Sequence, residues 1–490
     1  AQLCRDAVRG AGSPVFRPQG WLSQRVGAMS RDDPDRRPDP VSVPAAAADE
    51  ARRAAGGPAD AAADWQQTDT NAPVATVDVA SLLDAHGGAA GRLIDILGGD
   101  ARFVGGCVRD LVLGQPGDDI DIATPLEPAD VVGCLSEAGW KTVPVGIEHG
   151  TILAVAPEAR GTFEVTTLRR DIETDGRHAT VAFTTDWRED AARRDFTYNA
   201  MSLDRDGYLY DHFGGLEDLE AGHTRFIGSA ADRIREDRLR ILRAFRFHAR
   251  YGLRDLDGDT LQALSDQAHG LAALSGERIR HEMARLIVGP KVLQTLRTME
   301  ACGVLAQALS LSSRSPGGTT RADTPDFAQL ERLMVLEEVH DEPGLWRRFA
   351  AVLGRGEARI RTLADRYRLS NQDRDRLLRL SGRRPARAMN WMLYLDGPET
   401  ALDRLLLDAA QLNQPVSPEH VQLIRDFHPV PLPVSGQDVV DLGVEPGPRV
   451  GLLVKRIEAW WVDRNFEPSR ADCLWELAHQ ARAGFDDGEN

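Results

Sequence analysis

Five cysteines in 490 residues, Cys4, Cys107, Cys134, Cys302 and Cys473, fall without any C-x-x-C spacing, which excludes a disulfide framework and a cysteine-rich structural zinc site. No apolar run approaches the length of a membrane span, and no apolar signal core lies near the N-terminus. Positive charge is short as well: 59 Lys and Arg against 75 Asp and Glu leave a net charge of -16. That balance argues against a nonspecific nucleic-acid coat and leaves room for a local basic surface. Together these absences predict a cytoplasmic protein with no membrane partner, long enough for roughly two to four domains.

Composition changes along the chain. Residues 1–75 are rich in Ala, Pro, Asp, Arg and Gly with little apolar periodicity, and are expected to be a disordered extension. The sequence begins without methionine, and Met29 opens a plausible shorter start; an Arg-bearing targeting peptide is disfavoured by the many acids. Residues 76–227 read as an α+β head, with helices over Val79–Leu97 and Pro128–Ala138 and strands at Arg102–Val104, Ile120–Thr124, Thr151–Ala156 and Phe163–Leu168. Beyond 228 the pattern is helical: a neck over 228–305 with helices at Glu236–Arg250, Gly276–Ile287 and Lys291–Cys302, a body over 306–430 and a tail over 431–490. The soft segment 310–326 separates neck from body.

The most informative run is FVGGCVRDLVLGQPGDDIDIAT, Phe103 to Thr124. A short strand meets the Gly105-Gly106 turn, whose backbone amides suit an anion such as a triphosphate, and a helical segment carries Arg109. In Asp119-Ile120-Asp121 the strand period throws both carboxylates to one face and Ile120 into the core. Two hard oxygen ligands side by side suit Mg2+ and two-metal phosphoryl transfer. Strand alternation puts Glu164 opposite Phe163 and Val165, a third carboxylate if its strand neighbours the first. The segment 171–186 is expected to be a mobile loop over the nucleotide, with Arg177 reaching phosphate.

Arg193-Arg194-Asp195-Phe196-Thr197-Tyr198-Asn199 sets a basic pair against a carboxylate and an amide, a combination able to hold triphosphate and ribose hydroxyls. Asp211 to Leu219 places a Gly pair where a hinge is expected. In Glu236-Asp237-Arg238-Leu239-Arg240, Asp237 and Arg240 are three apart and share one face of the expected helix. A carboxylate beside a guanidinium matches the exocyclic amine and ring nitrogen of cytosine and adenine, while uracil and guanine reverse that pattern. Arg225, Arg233, Arg235, Arg243, Arg246, Arg250 and Arg254 outnumber the nearby acids, so Arg243, Arg246 and Arg250 are expected to meet RNA phosphates.

From about 78 to 290 this ordered series resembles the bacterial-type class II tRNA nucleotidyltransferases, the CCA-adding enzymes, which share their head with bacterial poly(A) polymerases. The resemblance implies a DNA polymerase β-like head with a mixed sheet, followed by all-α neck, body and tail. It implies nucleotide contacts at Gly105, Gly106, Arg109, Arg194, Asp195 and Asn199, metal ligands Asp119 and Asp121, and an amino-acid template of Asp237 and Arg240. It also implies Mg2+, CTP, ATP and tRNA as ligands, with Glu164 assisting catalysis. The neck run SGERIRHEMARLI, 275–287, is similar to a family element as well. After 300 the resemblance weakens, reviving at SGQDVVDLGVEPGPRVG, where Gly443–Gly451 offers backbone amides to tRNA or forms a plain helix-helix turn. Some relatives end in a metal-dependent phosphohydrolase domain; the isolated His340-Asp341 does not predict that activity. Poly(A) polymerase, a CC-only or A-only enzyme, and a noncatalytic RNA-binding protein of the same fold are the competing expectations.

Overall fold

Leu203, Phe103, Ile122, Val165 and Ile152 stand opposite one another across five adjacent strands, and all five are buried. That apolar row is the centre of the catalytic half, because side chains one residue away along each strand must point to the other face. The computed structural model describes residues 26–28, 71–117, 119–146, 149–157, 161–175, 178–311, 325, 327–354, 356–382 and 389–482.

In chain order the strands are β1 (Val26–Ala28), β2 (Ala75–Val77), β3 (Arg102–Val104), β4 (Asp121–Thr124), β5 (Lys141–Gly146), β6 (Thr151–Val155), β7 (Thr162–Thr167), β8 (Arg169–Asp175), β9 (His178–Phe183), β10 (Ser202–Leu203) and β11 (Tyr208–Tyr210). Nine form one mixed sheet in the order β1-β2-β11-β10-β3-β4-β7-β6-β5, with β4 and β7 parallel and the other pairs antiparallel. Helices Ala85–Leu97 and Pro128–Glu137 pack together, burying Leu93, Ile94, Val131 and Leu135, and the second also packs on β5 and β6. Four further helices build the site: α1 (Gly106–Val112), α2 (Ala230–Glu236), α3 (Arg240–Tyr251) and α4 (Gly276–Ile287).

Several expectations need correction. The helix expected over Val79–Leu97 is two, Ala80–Leu83 and Ala85–Leu97, with His86, Gly87 and Gly88 at positive φ near the junction. The segment expected as a mobile loop is a hairpin of β8 and β9, although Arg177 lies outside the described residues. The helix expected over Glu236–Arg250 breaks at Asp237, which is extended (φ -145, ψ 110) between α2 and α3. β5 was not anticipated, since Pro144 interrupts its alternation and Val143 and Val145 are exposed on the sheet edge. The 1–75 extension falls almost wholly outside the described residues, yet Val26–Ala28 within it forms β1 and does not fit the expected disorder.

The chain divides into two compact units at Leu309/Ser310, and every residue of the candidate site belongs to the first. The second is helical, from Phe327–His340 to Arg470–Arg482. In it, Asp341 accepts from Arg347 at 2.7 Å, in a cluster where Glu337 also accepts from Arg347 and Arg348. Asp341 is thus an ion-pair partner. The tail turn near Gly443 leads into helix Pro448–Val462, whose Arg449 donates to the Ala481 carbonyl at 3.2 Å. Among the described residues no helix is long and apolar enough to cross a membrane.

Candidate active site

One residue along from the buried row, Asp121 on β4 stands beside Glu164 on β7. Parallel pairing brings their Cα atoms to the inter-strand spacing of about 5 Å. Asp119, Asp121 and Glu164 are all exposed, whereas Ile120, Phe163 and Val165 are buried, so alternation turns the three carboxylates to the solvent face. Among the described residues no three carboxylate, imidazole or thiol groups converge into a preformed metal cage. Glu164 is the direct neighbour of Asp121 across the sheet. Asp121 has its pKa raised to about 6, first by the surrounding protein, then by the like charges of Glu164 and Asp119, against which Arg194 compensates only in part. A pair of hard oxygens under mutual repulsion fits a divalent cation that also binds substrate phosphates, an arrangement needing only one or two protein carboxylates.

β3 enters the site through Gly105 at φ 72, a conformation that favours glycine. A Cβ there would stand 3.0 Å from Nη1 of Arg194. Behind the turn the Cys107 thiol donates to the Val104 carbonyl at 3.3 Å and to the Asp121 carbonyl at 3.7 Å, stapling the glycine turn to the start of β4. Burial pushes that thiol up to about 12, which keeps it protonated and unreactive.

Arg109 does not reach into open space. It is buried, grips Asp110 through Nε and Nη2 at 2.9 Å each, donates to Oδ1 of Asn199 at 2.5 Å, and lies 4.7 Å from the Tyr251 ring centroid. Burial lowers its pKa, but nearby Tyr251 and Asp110 outweigh that effect and raise it. As positioned, the Arg109 guanidinium is an internal strut between Asp110 and Asn199. Asn199 and Asp195 are also buried. Asn199 donates to Asp195 at 3.0 Å, and Asp195 accepts from Phe196 N at 2.9 Å and Arg243 Nε at 2.5 Å. Burial would raise the Asp195 pKa, yet Arg243 and these donors hold it below the usual carboxylate range.

Arg194 remains half-buried, its Nη2 held by Asp190 at 3.2 Å and its Nη1 near the Asn199 carbonyl at 3.4 Å. Asp190, which sequence reasoning passed over, also accepts from Arg193 at 2.8 Å and from Arg169 N at 3.2 Å. The i,i+3 and i,i+4 spacing to Arg193 and Arg194 was the available signal. The expected hinge is packed tight instead: a Cβ on Gly215 would meet the Thr197 carbonyl at 2.3 Å, and Asp211 accepts from Gly215 N and Leu216 N at 2.9 Å each.

Asp237 and Arg240 lie on either side of the α2–α3 junction and not along one helix, joined by a backbone hydrogen bond from Arg240 N to the Asp237 carbonyl at 3.0 Å. Asp237 Oδ1 accepts from Leu239 N at 3.0 Å and its Oδ2 from Arg278 of α4 at 2.6 Å. Arg240 donates to the Arg233 carbonyl at 3.1 Å, to Glu236 at 2.5 Å and to the Arg193 carbonyl at 3.0 Å. The arginines expected to meet RNA also serve inside the fold. Arg243 bonds Asp195 and stands 3.9 Å from Glu282, Arg246 bonds Glu282 at 2.6 Å, and Glu282 is 3 % exposed. Both neutralise buried acids; Arg246 is largely covered, whereas Arg243 stays partly exposed. Arg250 lies 5.3 Å from the Tyr251 ring, half-buried. Tyr251 in turn donates to Asp110 at 2.9 Å. A continuous chain, Tyr251–Asp110–Arg109–Asn199–Asp195–Arg243–Glu282, so ties α1 to α3 and α4.

The chain is similar to known proteins in sequence and in fold. A family described as the poly A polymerase head domain matches residues 101–225, and one described as the probable RNA and SrmB-binding site of polymerase A matches residues 255–311. The mitochondrial CCA tRNA nucleotidyltransferase 1 of Danio rerio is 34% identical over 394 residues, covering 77% of this chain and 87% of that protein. The CCA-adding enzyme of Geobacillus thermodenitrificans (strain NG80-2) is 36% identical over 374 residues, covering 73% and 88%. Among solved structures, the Bacillus stearothermophilus CCA-adding enzyme in complex with CTP aligns with a TM-score of 0.65 at 31% identity over 81% of this chain and 97% of its own. The Thermotoga maritima CCA-adding enzyme complexed with tRNA aligns at 0.55 and 20% identity over 82% and 98%, a likeness of fold.

Proposed function

The chain belongs to the family of CCA-adding tRNA nucleotidyltransferases, and we propose that Asp119 and Asp121 hold its divalent cation, the run from Arg194 to Asn199 its nucleotide triphosphate and sugar, and Asp237 with Arg240 its base. The enzyme adds CMP and AMP from CTP and ATP to the 3′ end of tRNA and releases pyrophosphate. The tRNA 3′-oxygen forms the bond to the α-phosphorus, the bond from that phosphorus to the bridging oxygen breaks, and the hydroxyl proton leaves to solvent. Mg2+ is the ion we propose, and when bound it lowers the cost of ionising the attacking hydroxyl and of charge on the leaving phosphate. Asp119 and Asp121 would hold it, Glu164 would add negative field beside them, and Arg194, next to the glycine turn, would offset triphosphate charge.

One contact supports the proposed assignment of roles: Arg240 donates to the Arg193 carbonyl at 3.0 Å, which links the base reader to the segment proposed for sugar and phosphate. Asp237 keeps lone pairs for the exocyclic amine of cytosine or adenine, and Arg240 Nε donates to the adjacent ring nitrogen. Uracil and guanine would leave both groups facing their own kind, a loss of one to two hydrogen bonds.

Purified protein, tRNA lacking its CCA end and labelled CTP and ATP test this reading. The expected product is a short addition ending in A that requires a divalent ion; a long adenylate homopolymer marks poly(A) polymerase activity. Absence of incorporation, or normal incorporation by Asp119→Ala plus Asp121→Ala, refutes it. Cys107, Cys134, Cys302 and Cys473 are free thiols, which supports the cytoplasm as the compartment we propose.

A further inference from the structure

Asp237 lies outside both flanking helices, so no helical rotamer fixes its carboxylate. The terminal torsion of an aspartate is broad and two-fold, so one anchored oxygen leaves the other free to swing. Leu239 N anchors Oδ1, and the second anchor comes from Arg278, whose Nη2 meets Oδ2 at 2.6 Å. Arg278 stands in the first turn of α4. That helix is itself locked to α3 through Glu282 and its two arginines, so the anchor is fixed relative to the base-reading junction.

We infer that Arg278 is a positioning residue for nucleotide choice, holding the Asp237 carboxylate in the plane where it accepts from the exocyclic amine of cytosine or adenine. The inference rests on the base-reading role of Asp237 given above. Arg278 itself touches no nucleotide. Its planar fork fixes direction as well as charge, so lysine, a point charge on a flexible stem, reproduces only part of the effect. An acceptor left free to rotate still binds an amine but no longer penalises a carbonyl placed in the same position. Discrimination therefore falls before the reaction itself does.

The experiment measures kcat/KM for CTP and for UTP on tRNA lacking its CCA end, with wild type, Arg278→Ala, Arg278→Lys, Asp237→Ala and the double alanine variant. Arg278→Ala is expected to lower the CTP:UTP ratio about tenfold, the scale of one well-placed polar contact, with Arg278→Lys intermediate. The double variant should discriminate no worse than Asp237→Ala alone, because the arginine acts only through the aspartate. A purely structural arginine would lower kcat/KM for both nucleotides equally and leave the ratio unmoved. The inference is overturned if Arg278→Ala keeps the wild-type ratio while Asp237→Ala loses it, or if the two losses add. Should the alanine variant melt below the assay temperature, Arg278→Lys decides: a ratio equal to wild type overturns the inference. An Asp237→Ala enzyme that still discriminates refutes the base-reading role itself, a separate and recognisable failure.

Discussion

Replacing Asp121 by Asn should stabilise the protein in the absence of metal while abolishing its reaction. The Asp121 pKa stands at about 6 against an ordinary 3.8. A carboxylate with a raised folded pKa binds more protons in the native state between those values, so stability falls as pH rises from about 4 to about 6, and the penalty is complete above that window. Two units correspond to about 3 kcal/mol at face value. Asp121 is exposed, however, and solvent screening reduces the repulsion to about 1 kcal/mol. Asparagine removes the charge, and among the described residues Asp121 has no side-chain hydrogen bond to lose with it. In EDTA at pH 7.5 the variant should melt about 2–4 °C above wild type, and the two should coincide near pH 4. Added magnesium should raise the wild-type melting temperature and leave the variant unmoved. Calorimetry across pH, with and without metal, reads all three. A variant that melts below wild type in EDTA, or shares its magnesium response, refutes the argument that repelling carboxylates wait there for a cation.

Glu282→Gln leaves Arg243 and Arg246 without their shared buried counter-charge and should cost about 3 kcal/mol in urea unfolding; a loss under 1 kcal/mol would show that water compensates them. Gly105→Ala imposes a side chain at φ 72 and crowds Arg194, so stability should drop by about 1–3 kcal/mol, with a rise in KM for CTP; an unchanged KM refutes the link between turn and triphosphate. Asp190 and Asp195 have depressed pKa values, so the stability they contribute is present above about pH 4 and is lost as pH falls through the folded values. Asp195→Asn should flatten the acid limb of a stability-pH curve; an unaltered limb counts against that pair.

Local periodicity was enough where partners lie on one strand. Ile120 buried between exposed Asp119 and Asp121, and Glu164 between Phe163 and Val165, follow from alternation alone. The template pair was legible as chemistry but not as geometry. Glu236 to Arg240 are all tolerable in a helix, and nothing in that run signals that Asp237 turns its side chain onto Leu239 N and leaves the helix. The ion pairs of the α3 arginines were hidden for a different reason. Counting acids nearby could not find their partners, because Asp195 and Glu282 are 48 and 36 residues away. Arg109 was drawn inward in the same manner, by Asn199 at a separation of 90.

The buried chain from Tyr251 to Glu282 bears on how freely this architecture can be recombined. A chimera cut near residue 228 would hand one parent Asp110, Asp195 and the Arg193 carbonyl, and the other Tyr251, Arg243 and Arg240. Each fragment would carry half of several partly buried pairs, and unmatched halves are destabilising. Head and neck are therefore inherited as a matched set, and grafts between relatives should succeed only where both sides of the seam come from compatible parents.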